Sequence, residues 1–114
     1  FLVVGAENKS EITIGYFTKY GDGAVDLLPL ANLVKSEVKQ LASYLQVPKK
    51  IIQKTPSAGL WKGQTDEGEL GFSYEDLDRY IMTGKVKSKL IEERISNLIA
   101  KSNHKRKMPL TPNR

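Results

Sequence analysis

Within its first sixteen residues the chain passes from an apolar, β-branched run, Phe1-Leu2-Val3-Val4-Gly5, to a polar segment in which Asn8 precedes Glu11 by three positions. The run has the character of a short buried strand stopped by glycine. The Asn8/Glu11 spacing is that of an N-cap and N3 pair opening a helix through about Tyr16. Strand, tight turn and helix in so few residues begin an α/β unit, which confines the chain to folds in which helices cover a sheet. The run also opens on Phe rather than Met and is apolar where a domain edge is normally polar. The expectation is therefore the front end of a fragment.

Further along, Tyr20-Gly21-Asp22-Gly23 reads as a turn and Asp26 to Leu30 as a short extended stretch halted by Pro29, which has no N–H to donate. Val34, Val38, Leu41, Ala42 and Leu45 form a stripe of period 3.6, which predicts a helix over 34–45. Pro48 can serve as the N1 residue of a short helix through Ile52. Four glycines between Pro56 and Gly71 predict a loop, long enough to be a lid or binding segment. Ser73 as N-cap, Asp76 at N3, a Phe72–Leu77 staple and Gly84 as a stop predict a helix to about Met82. Leu90, Ile91, Ile95, Leu98 and Ile99 predict a last helix over 86–101 with one apolar face. The resulting division is strand–helix units over 1–60, a loop over 61–71, two helices over 72–101 and a basic tail over 102–114.

Composition narrows the function. The 114 residues contain no Cys and one His, which removes disulfides, thiolate chemistry, Cys-based metal sites and any His-pair metal site made by a single chain. An intracellular, reducing compartment, the cytoplasm, fits that composition. No run approaches the ~20 apolar residues of a membrane span, and neither part of a signal peptide is visible. The net charge is +5, and five of the eighteen Lys and Arg lie in the last 14 residues, where there is no acid. The first hundred residues are thus neutral. A basic tail suits an anionic partner, and equally a solvated terminus.

Nucleotide-binding and hydrolase signatures such as G-x-x-x-x-G-K-[ST], G-x-G-x-x-G and G-x-S-x-G are absent from the sequence. His104 sits in the basic tail, a poor position for a catalytic triad. Glu11 is more distinctive. It falls in the first turn of the helix after the first strand, the region beyond the carboxyl ends of strands where open sheets bind ligands. A carboxylate there suits Mg²⁺ beside nucleotide phosphates, or simply closes a capping box with Asn8. Lys19, Asp22, Asp26 and Lys35, taken singly, read as solvated charges.

Taken together, these segments resemble a known family. Gly5-Ala6-Glu7-Asn8-Lys9-Ser10-Glu11, Gly15 to Gly23 (GYFTKYGDG), Asp26 to Leu30 (DLLPL), Lys54 to Trp61 (KTPSAGLW), Gly63-Gln64-Thr65-Asp66-Glu67, Glu69-Leu70-Gly71 and His104-Lys105-Arg106 look, in that order, like the catalytic domain of ammonia-dependent NAD synthetase. The resemblance implies part of a three-layer, Rossmann-like parallel sheet of the ATP-pyrophosphatase type, with flanking helices, working as a homodimer. It implies adenylation of the nicotinate carboxylate of deamido-NAD by ATP, and displacement of AMP by ammonia. By resemblance Glu11 takes the Mg²⁺ role, while Ala6, Lys35 and Ser57 stand at ATP positions. Lys19, Asp26, His104 and Lys105 stand at positions that hold deamido-NAD. No catalytic nucleophile, nucleic acid or membrane is implied.

Three departures from the family pattern are visible. Ala6 replaces a threonine whose hydroxyl is expected on ATP, and Ser57 replaces a threonine while keeping the hydroxyl. The Ser-Gly-Gly-x-Asp-Ser pyrophosphate loop, with its N–H cradle and second metal carboxylate, is absent from these residues. The expectation is a C-terminal half that is inactive alone. A non-catalytic dimerisation piece and a polyanion-binding module using the tail are the alternatives.

Overall fold

A computed structural model describes residues 1–113. Six α-helices follow one another: α1 (Lys9–Ile14), α2 (Lys35–Tyr44), α3 (Lys49–Ile52), α4 (Asp66–Leu70), α5 (Tyr74–Thr83) and α6 (Lys89–Lys101), then a 3-10 turn over Asn103–Arg106. The expected buried strand is not formed. Phe1–Val4 are exposed, and among the described residues the only β-pairing is one parallel bridge, Val4 to Leu27. Val3 and Gly5 bond to the backbone at Asp26 and Leu27, three contacts of 2.9–3.1 Å. A strand is buried by neighbours on its edges and layers on its faces. One bridge partner supplies neither, so the sheet expected of an α/β fold is reduced here to this bridge.

The helices follow their local chemistry. Asn8 Oδ1 accepts from the N–H of Ser10 and Glu11, and Glu11 returns a carboxylate to Asn8 N–H, completing the capping box. Gly15, at φ 70°, ends α1 two residues before the expected limit. That conformation is one L side chains avoid. Ser73 caps α5 and Gly84 stops it. Pro48 serves as N-cap, not N1, of α3. The segment expected as loop over 61–71 contains α4, because Thr65 accepts from Gly68 N–H and Gly71 closes the helix in the left-handed region.

The core lies where α1, α5 and α6 meet: Ile14, Leu70, Phe72, Tyr74, Leu77 and Ile95 are all buried. Leu90, expected on the buried face of the last helix, is exposed, since α6 turns only Ile95 fully inward. The stripe on α2 is likewise uncovered at Leu41 and Leu45, and no residue of α2 itself is fully buried. The radius of gyration, 15.3 Å, exceeds the roughly 13 Å of a compact chain of this length. The helices close one core and leave apolar faces open.

The tail does not run free at its start. Lys105 Nζ donates to the carbonyls of Gly15 (2.7 Å) and Phe17 (2.6 Å). Arg106 donates to Ile12 O, Ile99 O and Ser102 Oγ. These cations satisfy carbonyls left over where α1 ends, the role basic groups play at helix C-termini. Among the described residues no helix is long and apolar enough to cross a membrane.

Candidate functional site

A cleft of about 490 Å³ opens between α1, α2 and the segment after α3. Ala6, Glu11, Lys35 and Ser57 all line it, although they come from three separate stretches of chain. Glu11 and Lys35 form its charged centre. Lys35 Nζ lies 2.9 Å from Glu11 Oε1 and 4.8 Å from the centroid of the Tyr74 ring. Glu11 Oε2 is meanwhile held by Asn8 N–H at 3.0 Å, so the capping and charge-pairing roles of this residue coexist on its two oxygens. Val38, Ala42, Val47 and Ile52 supply an apolar wall opposite, and Lys39 and Lys54 add cations. An apolar wall beside a cationic end suits a molecule with a flat base and phosphates.

The base of the site is held by hydrogen bonds that cross between helices. Ser10 Oγ donates to Asp78 Oδ1 at 2.5 Å and accepts Lys35 N–H at 3.0 Å, while Asp78 Oδ2 accepts Ser36 N–H at 2.8 Å. Val34, the residue before α2, offers no side-chain cap. The first N–H groups of α2 are therefore met by residues of α1 and α5. That arrangement aims Lys35 at Glu11.

Lys19, Asp26, His104 and Lys105 do not line this cleft. Lys19 Nζ and His104 Nδ1 are brought together at 3.2 Å across 85 positions. Asp26 Oδ2 accepts Val3 N–H at 2.8 Å, and Lys105 is bound to the two carbonyls described above. Asp22, from the glycine turn, does reach the cleft and also accepts Thr18 N–H.

Two tyrosine–acid pairs to which the sequence assigned no role include two residues of the cleft lining, Tyr16 and Asp66. Tyr74 O–H donates to Asp66 Oδ2 at 2.9 Å, and Tyr16 O–H to Glu69 Oε2 at 2.7 Å. Gln64 joins Glu69 to the N–H of Leu60, fastening the glycine-rich segment to α4. Burial pushes both phenols well above their ordinary range. The bond to Glu69 adds to the effect at Tyr16, and the charges of Glu11 and Asp66 add to it at Tyr74. The Tyr16 bond, then the Gln64 bond, hold Glu69 below the usual carboxylate range. Thr65 followed by acids, with glycine at 71, was the local clue to α4.

The family model described as NAD synthase matches residues 1–109. The chain belongs to this family. An NH(3)-dependent NAD(+) synthetase of Carboxydothermus hydrogenoformans is 54% identical over 112 residues, 98% of this chain and 46% of that protein. A solved structure described as NMN synthetase from Francisella tularensis is 54% identical, with a TM-score of 0.93 over 98% of this chain and 47% of that one. An NH3-dependent NAD synthetase from Campylobacter jejuni is 31% identical, with a TM-score of 0.68 over 98% of this chain and 45% of that one. The chain thus spans about half the length of the relatives it matches. Its bridge and helices are consistent with the Rossmann-like fold of those synthetases.

Proposed function

We propose that this chain is a portion of an ammonia-dependent NAD synthetase, contributing one side of the ATP site. The observation that carries the reading is the convergence of Ala6, Glu11, Lys35 and Ser57 on one cleft. In the reaction, ATP adenylates the nicotinate carboxylate of deamido-NAD and releases pyrophosphate, and ammonia then displaces AMP. Lys35 stabilises negative charge gathering on the phosphates, where a water-poor site strengthens each such contact. Ser57 offers a hydroxyl, and the small Ala6 leaves room for ATP at the turn. Lys19 and His104, already side by side, hold the anionic dinucleotide, with Asp26 and Lys105 shaping the backbone around them.

Mg²⁺ belongs to this reading as a partner of ATP. Among the described residues no group of three or more His, Cys, Asp or Glu is placed to hold a metal. Glu11 alone nevertheless suits an ion that takes one or two carboxylates and completes its shell with phosphate oxygens and water. When bound, it would neutralise phosphate charge. A homodimer in the cytoplasm, without nucleic acid or membrane, completes the proposal.

The 114 residues hold no Ser-Gly-Gly-x-Asp-Ser loop, so synthesis is expected to need the further length that the relatives possess. The test supplies ATP, Mg²⁺, deamido-NAD and ammonia to the 114-residue chain and to a full-length enzyme carrying it. NAD from the longer protein alone supports the reading. A normal rate from the short chain removes the fragment part of it, and none from either removes the function. A second reading, amidation of the mononucleotide instead, is favoured by the TM-score of 0.93 to the structure described as NMN synthetase. Competition between deamido-NAD and the deamidated mononucleotide in the same assay separates the two.

A further inference from the structure

Lys35 faces two spaces, the cleft and a second groove of about 650 Å³ walled by α2 and α5. Its ammonium has one neighbour from each: Glu11 Oε1 at 2.9 Å belongs to the cleft, and the Tyr74 ring, centred 4.8 Å away, belongs to the groove. A lysine ammonium is a point charge on a flexible four-carbon stem, so its place is set by what surrounds it. We propose that Tyr74 is a positioning residue for the reaction, its ring face holding the Lys35 ammonium beside the cleft for the phosphates of ATP. The assignment rests on the proposed ATP site and adds a residue that acts on it from behind, since Tyr74 does not itself line the cleft.

The chemistry of a ring suits this task. An aromatic face attracts a cation through its quadrupole yet carries no net charge. Glu11 already balances the single charge of Lys35, and a second carboxylate in place of the ring would leave the group negative and repel phosphate. Glu11 takes one of the ammonium's three N–H donors, and a ring face competes only weakly for the others. The ring is also fixed at both ends. Its phenol donates to Asp66 Oδ2 at 2.9 Å, its backbone N–H donates to Glu67 Oε1 at 2.8 Å, and the residue is 5% exposed. Both partners belong to α4, so the docking of α4 on α5 sets where the ring, and through it the ammonium, stands.

The test reads the position of Lys35 directly. In proton NMR of the 114-residue chain, the ring current should displace the ε-methylene protons of Lys35 upfield of the other lysines, the signal being assigned by its loss in Lys35→Arg. The displacement should persist in Tyr74→Phe and vanish in Tyr74→Leu. An undisplaced Lys35 signal in folded wild type overturns the proposal. In a full-length enzyme, negative charge gathers on the phosphates as ATP reacts. Tyr74→Leu should therefore lower kcat about tenfold and leave KM for ATP within about twofold, and Tyr74→Phe, which restores the ring, should recover most of the loss. Equal losses in the two variants overturn the proposal, as does an unchanged kcat in Tyr74→Leu. If wild type makes no amide at all, the functional reading fails, while the NMR displacement still decides whether the ring holds Lys35. Should Tyr74→Leu not fold, the displacement in wild type and its persistence in Tyr74→Phe decide instead.

Discussion

The hydroxyl of Ser10 on α1 donates to the carboxylate of Asp78 on α5 at 2.5 Å, joining residues 68 positions apart in a fully buried contact. Both members also serve the N-terminus of α2, through Lys35 N–H and Ser36 N–H. Ser10→Ala removes one donor from a buried carboxylate and one acceptor from α2. The expected loss is about 1–3 kcal/mol, measured by urea denaturation. A change below about 0.5 kcal/mol would mean that the contact is not maintained in solution.

Lys19 tests the proposal of two ligand regions. It meets His104 at 3.2 Å and lies outside the cleft that Glu11 and Lys35 line. Lys19→Ala in a full-length enzyme should weaken dinucleotide binding by about 1.5–3 kcal/mol, the range for a charge-assisted hydrogen bond. ATP binding should be nearly unchanged. Calorimetric titration with each ligand checks this, and equal losses would speak against two regions.

Glu11→Gln keeps the size of the side chain and an oxygen for Asn8 N–H, but discharges the partner of Lys35. Folding should survive. Mg²⁺-dependent pyrophosphate release from a full-length enzyme should fall, and an unaffected rate would leave Glu11 with its capping role alone.

The phenols of Tyr74 and Tyr16 are raised in the folded chain, by burial first. The sign follows directly. Above about pH 10 the unfolded tyrosines lose protons that the folded ones keep, so stability is full below that pH and declines as pH rises beyond it. Thermal melting across pH 9 to 11 should show the decline, and Tyr74→Phe should flatten it. An unchanged slope would place the alkaline sensitivity elsewhere.

Two glycines test backbone strain against space. Gly15 and Gly84 have φ of 70° and 72°, so alanine is strained at either by about 1 kcal/mol. At Gly84 nothing lies near the added carbon, whereas at Gly15 it would fall 2.2 Å from Ser102 Cβ. Gly15→Ala should therefore be clearly the more destabilising in paired melts.

The elements that could be read from sequence are those built from neighbours. The Asn8/Glu11 box, the Ser73 cap with Gly84, and the period of α2 and α6 are local patterns, and the structure holds them within a few residues. Burial was harder to read, because it depends on what lies opposite. Phe1–Val4 and the α2 stripe have the sequence of covered elements and little covering them. The same division runs through the site. Glu11 and Lys35 were picked out by motif resemblance and do meet. Ser10–Asp78 and Asp66–Tyr74 depend on how α1, α2, α4 and α5 dock, which no spacing encodes.

The bonds from Lys105 and Arg106 to the end of α1 cross 88 to 94 positions of sequence. Contacts of such long range can form only after most of the chain between them has been ordered, and they slow a folding reaction accordingly. On a ribosome, α1 would emerge and wait with its final carbonyls facing water until residues near 105 had left the exit tunnel. Fastening α1 thus waits for residues made some ninety positions later. Premature termination before that point would release a chain whose Glu11-bearing helix has its cap at one end and lacks its clasp at the other.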